Sequence, residues 1–215
     1  MMDIEAIRRQ AETPAEAKAG DIDSVVADLT AAFEIDQHFD WFMRNDTRRT
    51  AARAQLFNLM LSELAFGIGR IDRPSGGGAA AVWLPSSALG PNSLIQELRA
   101  LPVILQATGL SRFSRMLALR ADMDERHPMD REHVYLWFLG VTPQAQGHGI
   151  GSRLLKAGTD RLDAQGRAAY LETGTERNVA LYTRHGFKVI SERSCRPDAP
   201  KMWGMWRDSG IQASL

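Results

Sequence analysis

A glycine-rich turn at residues 146–152 holds the residues whose types and spacing point most directly to chemistry. Gly147, Gly149 and Gly151 alternate along the segment QGHGIGS. Glycine permits positive φ angles and lets a ligand approach the backbone closely. Amides at the start of a following helix carry partial positive charge, which favours a phosphate or pyrophosphate. We therefore predict a phosphate cradle, formed by residues 146–152, between a strand and a helix.

Two well-known phosphate-binding motifs fit this turn poorly. A P-loop ends in Gly-Lys-Ser/Thr, whereas Gly151 is followed by Ser152 and Arg153. A dinucleotide-binding fingerprint has a third glycine three residues after the second, and Ser152 occupies that position. It also requires an acidic residue about 20 positions beyond an early glycine motif, which this sequence lacks. A nicotinamide-dependent oxidoreductase is therefore disfavoured.

The hydrophobic pattern around the cradle predicts the elements that must position it. The run VYLWFLGV at residues 134–141 is apolar without alternation, which is typical of a strand buried on both faces. Further strands are predicted over residues 66–72, 79–84, 168–173, 187–192 and 201–207. Helices are predicted over residues 22–33, 50–64, 91–123 with breaks at Pro102 and Gly109, 150–164 and 178–184. This order predicts an α/β or α+β fold with a sheet of mixed strand order.

Length and composition predict one globular domain. The chain has 215 residues, of which 44% are hydrophobic and 24% charged, and this suits a packed core. We expect a single domain over residues 21–210, preceded by a loosely attached arm at residues 1–20. Equal numbers of basic and acidic residues, 26 each, argue against a nucleic-acid partner. No apolar run is long enough to span a membrane, and the lone Cys195 with no secretory leader predicts a reducing cytoplasm.

The cradle and a second segment together resemble the GNAT superfamily of acetyl-CoA-dependent N-acetyltransferases. Residues 146–151 match the Q/R-x-x-G-x-G/A signature of that family. The second segment, residues 171–187, resembles the other half of the family's acetyl-CoA site. The residues that match the family's spacing there are Asn178, Tyr182, Gly186 and Phe187. Residues 133–192, and the strand AVWLP at residues 81–85, are similar to the puromycin N-acetyltransferase branch.

The resemblance implies a mixed, mostly antiparallel central sheet that is flanked by helices and splayed at the strand that meets acetyl-CoA. In this family the pyrophosphate rests on the turn amides, and the pantetheine arm pairs with the buried strand. The acetyl-CoA ligands that this carries over are Leu139, Gly140, Val141, Gln146, Gly147, His148, Gly149, Ile150, Gly151, Ser152, Asn178 and Tyr182. His148 replaces the Lys or Arg of many relatives, so weaker acetyl-CoA binding is expected. Gly140 predicts a bulge, as in the family, or a close backbone approach.

Acetylation of an amine requires a neutral amine, a stabilised oxyanion and a proton for the departing thiolate. Backbone amides near residues 139–141 suit the oxyanion. The resemblance points the Tyr182 hydroxyl at the sulfur of coenzyme A, although its spacing alone also fits a core aromatic. Glu172 is the first candidate for the general base, since a carboxylate beside an apolar cleft has a raised pKa, and an ion-paired or solvated residue is the alternative. His133 is the second candidate and Glu132 the third.

These observations predict an N-acetyltransferase that moves an acetyl group from acetyl-CoA to a primary amine of a small molecule, such as an antibiotic or xenobiotic, by direct attack on the thioester. A non-catalytic acyl-CoA-binding sensor is the alternative. No His, Cys or carboxylate pair has zinc-ligand spacing, so no metal is expected. We expect a monomer or homodimer, with an acceptor pocket from residues 33–41 and 94–123. Aromatic residues that would line this pocket, or else belong to the core, are Phe39, Trp41, Phe42 and Trp83.

Overall fold

A computed structural model describes residues 2–90 and 93–210 of the chain. Its seven-stranded sheet has the order β1-β2-β3-β4-β5-β7-β6. The strands are β1 (Ala15–Glu16), β2 (Arg70–Arg73), β3 (Ala79–Pro85), β4 (Val134–Val141), β5 (Ala169–Thr173), β6 (Lys188–Arg193) and β7 (Met202–Arg207). The helices are α1 (Ile4–Gln10), α2 (Ile22–Ala32), α3 (Gln37–Phe42), α4 (Arg49–Leu59), α5 (Leu94–Arg126), α6 (Ile150–Ala164) and α7 (Glu176–Arg184).

Neighbouring strands are antiparallel except β4 and β5, which run parallel. The two faces of the sheet carry different helices. On one face, apolar residues of β4 and β5 pack with α1, α6 and α7. On the other face, β3 and β4 pack with α2, α3, α4 and part of α5. This confirms the mixed, mostly antiparallel sheet with flanking helices that the family resemblance implies.

The two central strands diverge at one end. β4 pairs with β5 only from Val134 to Leu136, although β4 continues to Val141. Trp137 is an extra residue in β4. Val82 of β3 pairs with Phe138, and the next residue of β3, Trp83, pairs with Leu136, so Trp137 has no partner in β3. Such a bulge bends a strand and increases its twist. The resulting gap beyond Leu136, here called the β4–β5 cleft, confirms the predicted splay.

The bulge does not lie at Gly140, so that part of the expectation was wrong. Gly140 pairs in register with Ala80. Its role is a close approach to α2, because an added Cβ would lie 2.6 Å from Cδ2 of Leu29 and 2.9 Å from Cβ of Ala32. A glycine therefore lets α2 pack directly on the backbone of β4.

The helices differ from expectation in three places. In place of a loosely attached arm at residues 1–20, α1 and β1 pack onto the domain, with Ile7 only 3% exposed. α3 is an additional helix, capped by Asp36, whose carboxylate accepts hydrogen bonds from two amides of its first turn. α5 runs through Pro102 and is kinked only at Gly109, where φ is 64°. None of the helices in the described part of the chain has the length and apolar character needed to cross a bilayer.

Candidate active site

The cradle has the backbone geometry of an anion site. Gly147 and Gly149 have φ angles of 81° and 72°, in the left-handed region where glycine is favoured. Gly149 is the N-cap of α6, so the next three amides have no partner within the helix. Residues 146–149 are exposed, which leaves this helix start open to a ligand. The arrangement favours a phosphate at the N-terminus of α6.

Neighbouring elements hold the cradle in place. Nε2 of Gln146 donates to the carbonyl of Val141 at 3.0 Å. A Cβ added at Gly151 would lie 3.1 Å from Cγ2 of Val141, so the turn packs closely on the end of β4. Oγ of Ser152 lies 2.8 Å from Nε2 of His185, which joins the start of α6 to the end of α7. These contacts fix the open amides relative to the β4–β5 cleft.

Arg153 is a cradle residue that sequence reasoning missed. Its Nε donates to Oε1 of Glu12 at 2.8 Å, and its Nη1 lies 3.4 Å from the carbonyl oxygen of Gly149. The guanidinium therefore places a positive charge beside the turn. Its position one helical turn after Gly149 was the available signal, because residues four apart lie on one face of a helix.

Tyr182 lies on the buried side of α7 and belongs to the same apolar cluster as Leu139, Val141 and Ile150. Its ring meets Phe187 edge to face, with centroids 5.9 Å apart. Burial alone raises the pKa of its hydroxyl, so the phenol stays protonated at neutral pH. Asn178, one turn earlier in α7, is exposed. The structure thus brings Tyr182 to the same face of the sheet as the cradle.

Glu172 is held in a buried ion pair, the alternative that the sequence left open for it. Oε1 accepts a hydrogen bond from Nη2 of Arg193 at 2.5 Å. The hydroxyls of Tyr135 and Tyr170 donate to the same carboxylate at 3.1 and 3.2 Å. Burial raises the pKa of Glu172, while Arg193 and both hydroxyls oppose the rise. A carboxylate already engaged by three donors is poorly placed to accept a substrate proton, which argues against the base role expected for it.

His133 is also held by other protein groups. Its Nδ1 lies 2.8 Å from the carbonyl of Arg131, and its Nε2 lies 2.9 Å from Nε2 of His127. The residue is completely buried, and burial lowers the pKa of the ring. Both nitrogens are engaged, so this geometry favours a structural role. Glu132 is exposed and lies 3.7 Å from Arg167, at the surface.

A cavity of about 380 Å³ opens where β5 ends. Its lining residues are Gln37, Gly174, Thr175, Glu176, Lys201 and Trp203. Gln37 belongs to the expected acceptor segment, residues 33–41. The aromatic residues considered for the pocket are buried in the core instead, at 7% exposure or less: Phe39, Trp41, Phe42 and Trp83. Over residues 2–90 and 93–210, no three His, Cys, Asp or Glu side chains are grouped as metal ligands.

Comparison with known proteins gives matches in the segment that builds this site. Residues 115–187 match the sequence model of the Acetyltransferase (GNAT) family. The chain is 40% identical over 67 residues to a mycothiol acetyltransferase from Paenarthrobacter aurescens, which covers 28% of this chain and 21% of that protein. It is also 40% identical over 77 residues to the N-alpha-acetyltransferase RimI of Mycobacterium tuberculosis. That match covers 34% of this chain and 47% of RimI. The matched segment thus spans less than half of either relative.

The fold extends the similarity to nearly the whole chain. A crystal structure described as histone acetyltransferase HPA2 and related acetyltransferase, from Corynebacterium glutamicum, superimposes with a TM-score of 0.68. The two chains are 24% identical, and the match covers 93% of this chain and 97% of that one. The chain therefore has the GNAT fold. The match to the GNAT family model is confined to residues 115–187, and the likeness over the whole chain is one of fold, so the puromycin N-acetyltransferase branch stays a prediction.

Proposed function

We propose that this protein is an acetyl-CoA-dependent N-acetyltransferase that acetylates a primary amine of a small molecule. One observation carries the proposal: β4 leaves β5 after Leu136, immediately beside a positive-φ glycine turn at the start of α6. Beyond Leu136, β4 is no longer paired with β5 and can pair with a thioester arm, and the turn provides amides for the phosphates attached to that arm. We further propose that one catalytic domain carries this site and includes α1 and β1, which pack onto the sheet.

The cradle residues are the proposed phosphate ligands, with Arg153 added to those expected from sequence. The open amides of Ile150, Gly151 and Ser152 donate to the pyrophosphate, and the turn glycines keep the backbone accessible. The pantetheine arm lies along residues 139–141 of β4, on the edge that β5 leaves unpaired. Asn178 of α7 lies on the other side of the arm. This assignment is supported by the half-exposed side chains of Leu139 and Val141 beyond the last residue paired with β5.

The chemistry follows from what these groups donate. Amides of β4 facing the cleft stabilise the negative charge that develops on the thioester oxygen, an effect worth several kcal/mol in a water-poor site (about 3 to 4 for one donor). The neutral Tyr182 hydroxyl gives its proton to the sulfur as the C–S bond breaks. The amine enters at the end of β5, where the cavity beside Gln37 opens.

Release of free thiol from acetyl-CoA tests this function. The purified protein is incubated with acetyl-CoA and a panel comprising puromycin, a polyamine, an arylalkylamine and a peptide with a free N-terminus. Amine-dependent thiol release with one class supports the proposal and identifies the acceptor. Tight acetyl-CoA binding with no turnover on any amine would favour the acyl-CoA-binding sensor instead.

A further inference from the structure

His38 lies over the end of β5 on the face of the sheet opposite the cradle. A Cβ added at Gly174 would lie 2.5 Å from Nδ1 and 2.6 Å from Cε1 of the His38 ring. Gly174 directly follows the last residue of β5. The ring of His38 therefore covers the backbone at the end where β4 and β5 have diverged.

The segment that joins α2 to α3 crosses this open end. At one side, Phe33 and the end of α2 approach Gly140 of β4. At the other side, Gln37 and His38 approach Gly174 after β5. Gln37 and Gly174 also line the 380 Å³ cavity. His38 consequently lies against the wall of the cavity, since it follows Gln37 in the chain and its ring covers Gly174.

The ring of His38 has one nitrogen that the described protein leaves unpaired. The residue is 7% exposed, and its Nε2 is buried without a hydrogen-bond partner among residues 2–90 and 93–210. The backbone of Pro200 raises the pKa of the ring, and because proline offers only a carbonyl oxygen and Nε2 is unpaired, we assign the ring proton that faces this carbonyl to Nδ1. A proton on Nδ1 leaves a lone pair on Nε2. Buried polar atoms are nearly always paired, so an oriented, unpaired imidazole nitrogen calls for a functional explanation.

We propose that Nε2 of His38 is the general base that takes the proton released by the acceptor amine, directly or through one water. This inference rests on the proposed function. As the amine nitrogen attacks, the C–N bond forms and the C–S bond breaks. One proton passes from nitrogen to Nε2, and the sulfur receives a proton from Tyr182. Solvent then takes the proton from the imidazolium and returns one to the tyrosinate, so both groups are restored.

The charges around His38 suit this role. Burial lowers the pKa of the ring, and Asp36 and the Pro200 backbone oppose the shift, so the imidazole is neutral at pH 7. Glu176, in α7, and Lys201, directly before β7, line the adjacent cavity. Lys201 is paired with Glu192 at 2.6 Å, which offsets its charge. A neutral base beside a cavity that contains a carboxylate is suited to receiving a cationic amine.

His38→Asn tests the proposal, because the asparagine amide keeps a donor near the Nδ1 position and removes the base at Nε2. With the amine identified by thiol release, kcat is measured from pH 5 to 9 for the wild type, His38→Asn and His38→Ala. We expect kcat to fall roughly 100-fold in both variants. The inflection due to His38 disappears from the acid side of the profile, while the affinity for acetyl-CoA changes less than about threefold. An unchanged acid limb in a folded His38→Asn protein would overturn the proposal.

A second measurement needs no acceptor and no turnover. The ¹⁵N shifts of the His38 ring in the wild-type protein, assigned by their loss in His38→Asn, report its tautomer and its pKa. We expect a neutral ring with the proton on Nδ1 and a titration below the ordinary value of about 6.5. A proton on Nε2, or a titration above pH 7, would overturn the base role even if the acetyltransferase function holds. Absence of turnover with the expected tautomer would instead count against the proposed function.

Discussion

The guanidinium of Arg193 lies 2.5 Å from the carboxylate of Glu172 and also contacts Asp122 of α5 at 2.6 Å. The side chains of Glu172 and Arg193 are 3% and 9% exposed. This pair therefore joins the sheet to α5 in a place that water scarcely reaches. Removal of one partner from a buried pair leaves an uncompensated charge, which costs more than the pair itself contributes.

We accordingly expect Glu172→Gln to act mainly on stability. The free energy of unfolding should fall by about 3 kcal/mol, the lower end of the range for a broken buried pair, since Asp122 still faces Arg193. Urea denaturation measures this loss. Glu192→Gln is the matched control, because it breaks an exposed pair with Lys201 and should cost less than about 1 kcal/mol. Equal losses in the two variants would show that burial of the Glu172 pair has no energetic consequence.

The paired histidines predict a pH dependence of stability. Burial, together with the positive charges of His133 and Arg193, lowers the pKa of His127 to about 4. Burial also lowers the pKa of His133. Below the unfolded value of about 6.5, the unfolded chain binds protons that the folded chain refuses, so stability falls as the pH falls from about 6.5 towards 4.

Thermal unfolding at several pH values measures this effect in the wild type and in His127→Gln. We expect the wild type to lose about 1 to 2 kcal/mol across the window, a value reduced for partial solvent screening. His127→Gln should lose less over the same window, because it has one titrating group fewer. If the stability of the variant depends on pH as steeply as that of the wild type, the histidine pair is not the cause of this dependence.

The cradle makes a prediction about acetyl-CoA affinity. Gly149→Val places a branched side chain at a φ of 72°, against the expected phosphate site. The dissociation constant for acetyl-CoA, measured by calorimetry, should rise at least tenfold, or about 1.4 kcal/mol. Gly166→Val imposes the same strain at a φ of 65° beyond the far end of α6. That control should lose stability without losing affinity, and equal affinity losses in both would exclude a local cradle.

Arg153 makes a separate prediction. Arg153→Gln should weaken acetyl-CoA binding roughly fivefold at low salt and less at high salt, since a partly exposed charge is screened. Glu12→Gln should leave binding unchanged or tighter, because it frees the guanidinium from its 2.8 Å partner. Lys156→Gln, on the same helix and paired with Asp160, is the control for loss of charge alone. If the Lys156 and Arg153 variants behave alike, the effect is one of net charge.

The parts of this structure that the sequence predicted are those with a local signal. The unbroken apolar run of β4 and the glycines after it depend on neighbouring residues only, and both lie where expected. β1 and α3 are too short for a periodic pattern to show. The bulge at Trp137 arises from pairing with β3, more than 50 residues away in the chain.

The candidate site residues also divide into those with a local sequence signal and those that depend on distant partners. The positions of the cradle and of Tyr182 follow from local spacing. The engagement of Glu172 depends on Arg193 and Tyr135, which come from other strands. The unpaired nitrogen of His38 depends on Gly174 and Pro200, which lie more than 130 residues further along the chain. No local pattern carries information about partners at such separations.

Removal of the Tyr182 hydroxyl tests the central claim most directly. Tyr182→Phe keeps the ring and its contact with Phe187, so the fold and the affinity for acetyl-CoA should survive, with a change in dissociation constant below about threefold. The hydroxyl is needed only as the C–S bond breaks, and such an interaction appears in kcat rather than in ground-state binding. We expect kcat for amine-dependent thiol release to fall roughly 100-fold. A folded Tyr182→Phe protein that releases thiol at the wild-type rate would contradict the account and show that Tyr182 only packs in the core.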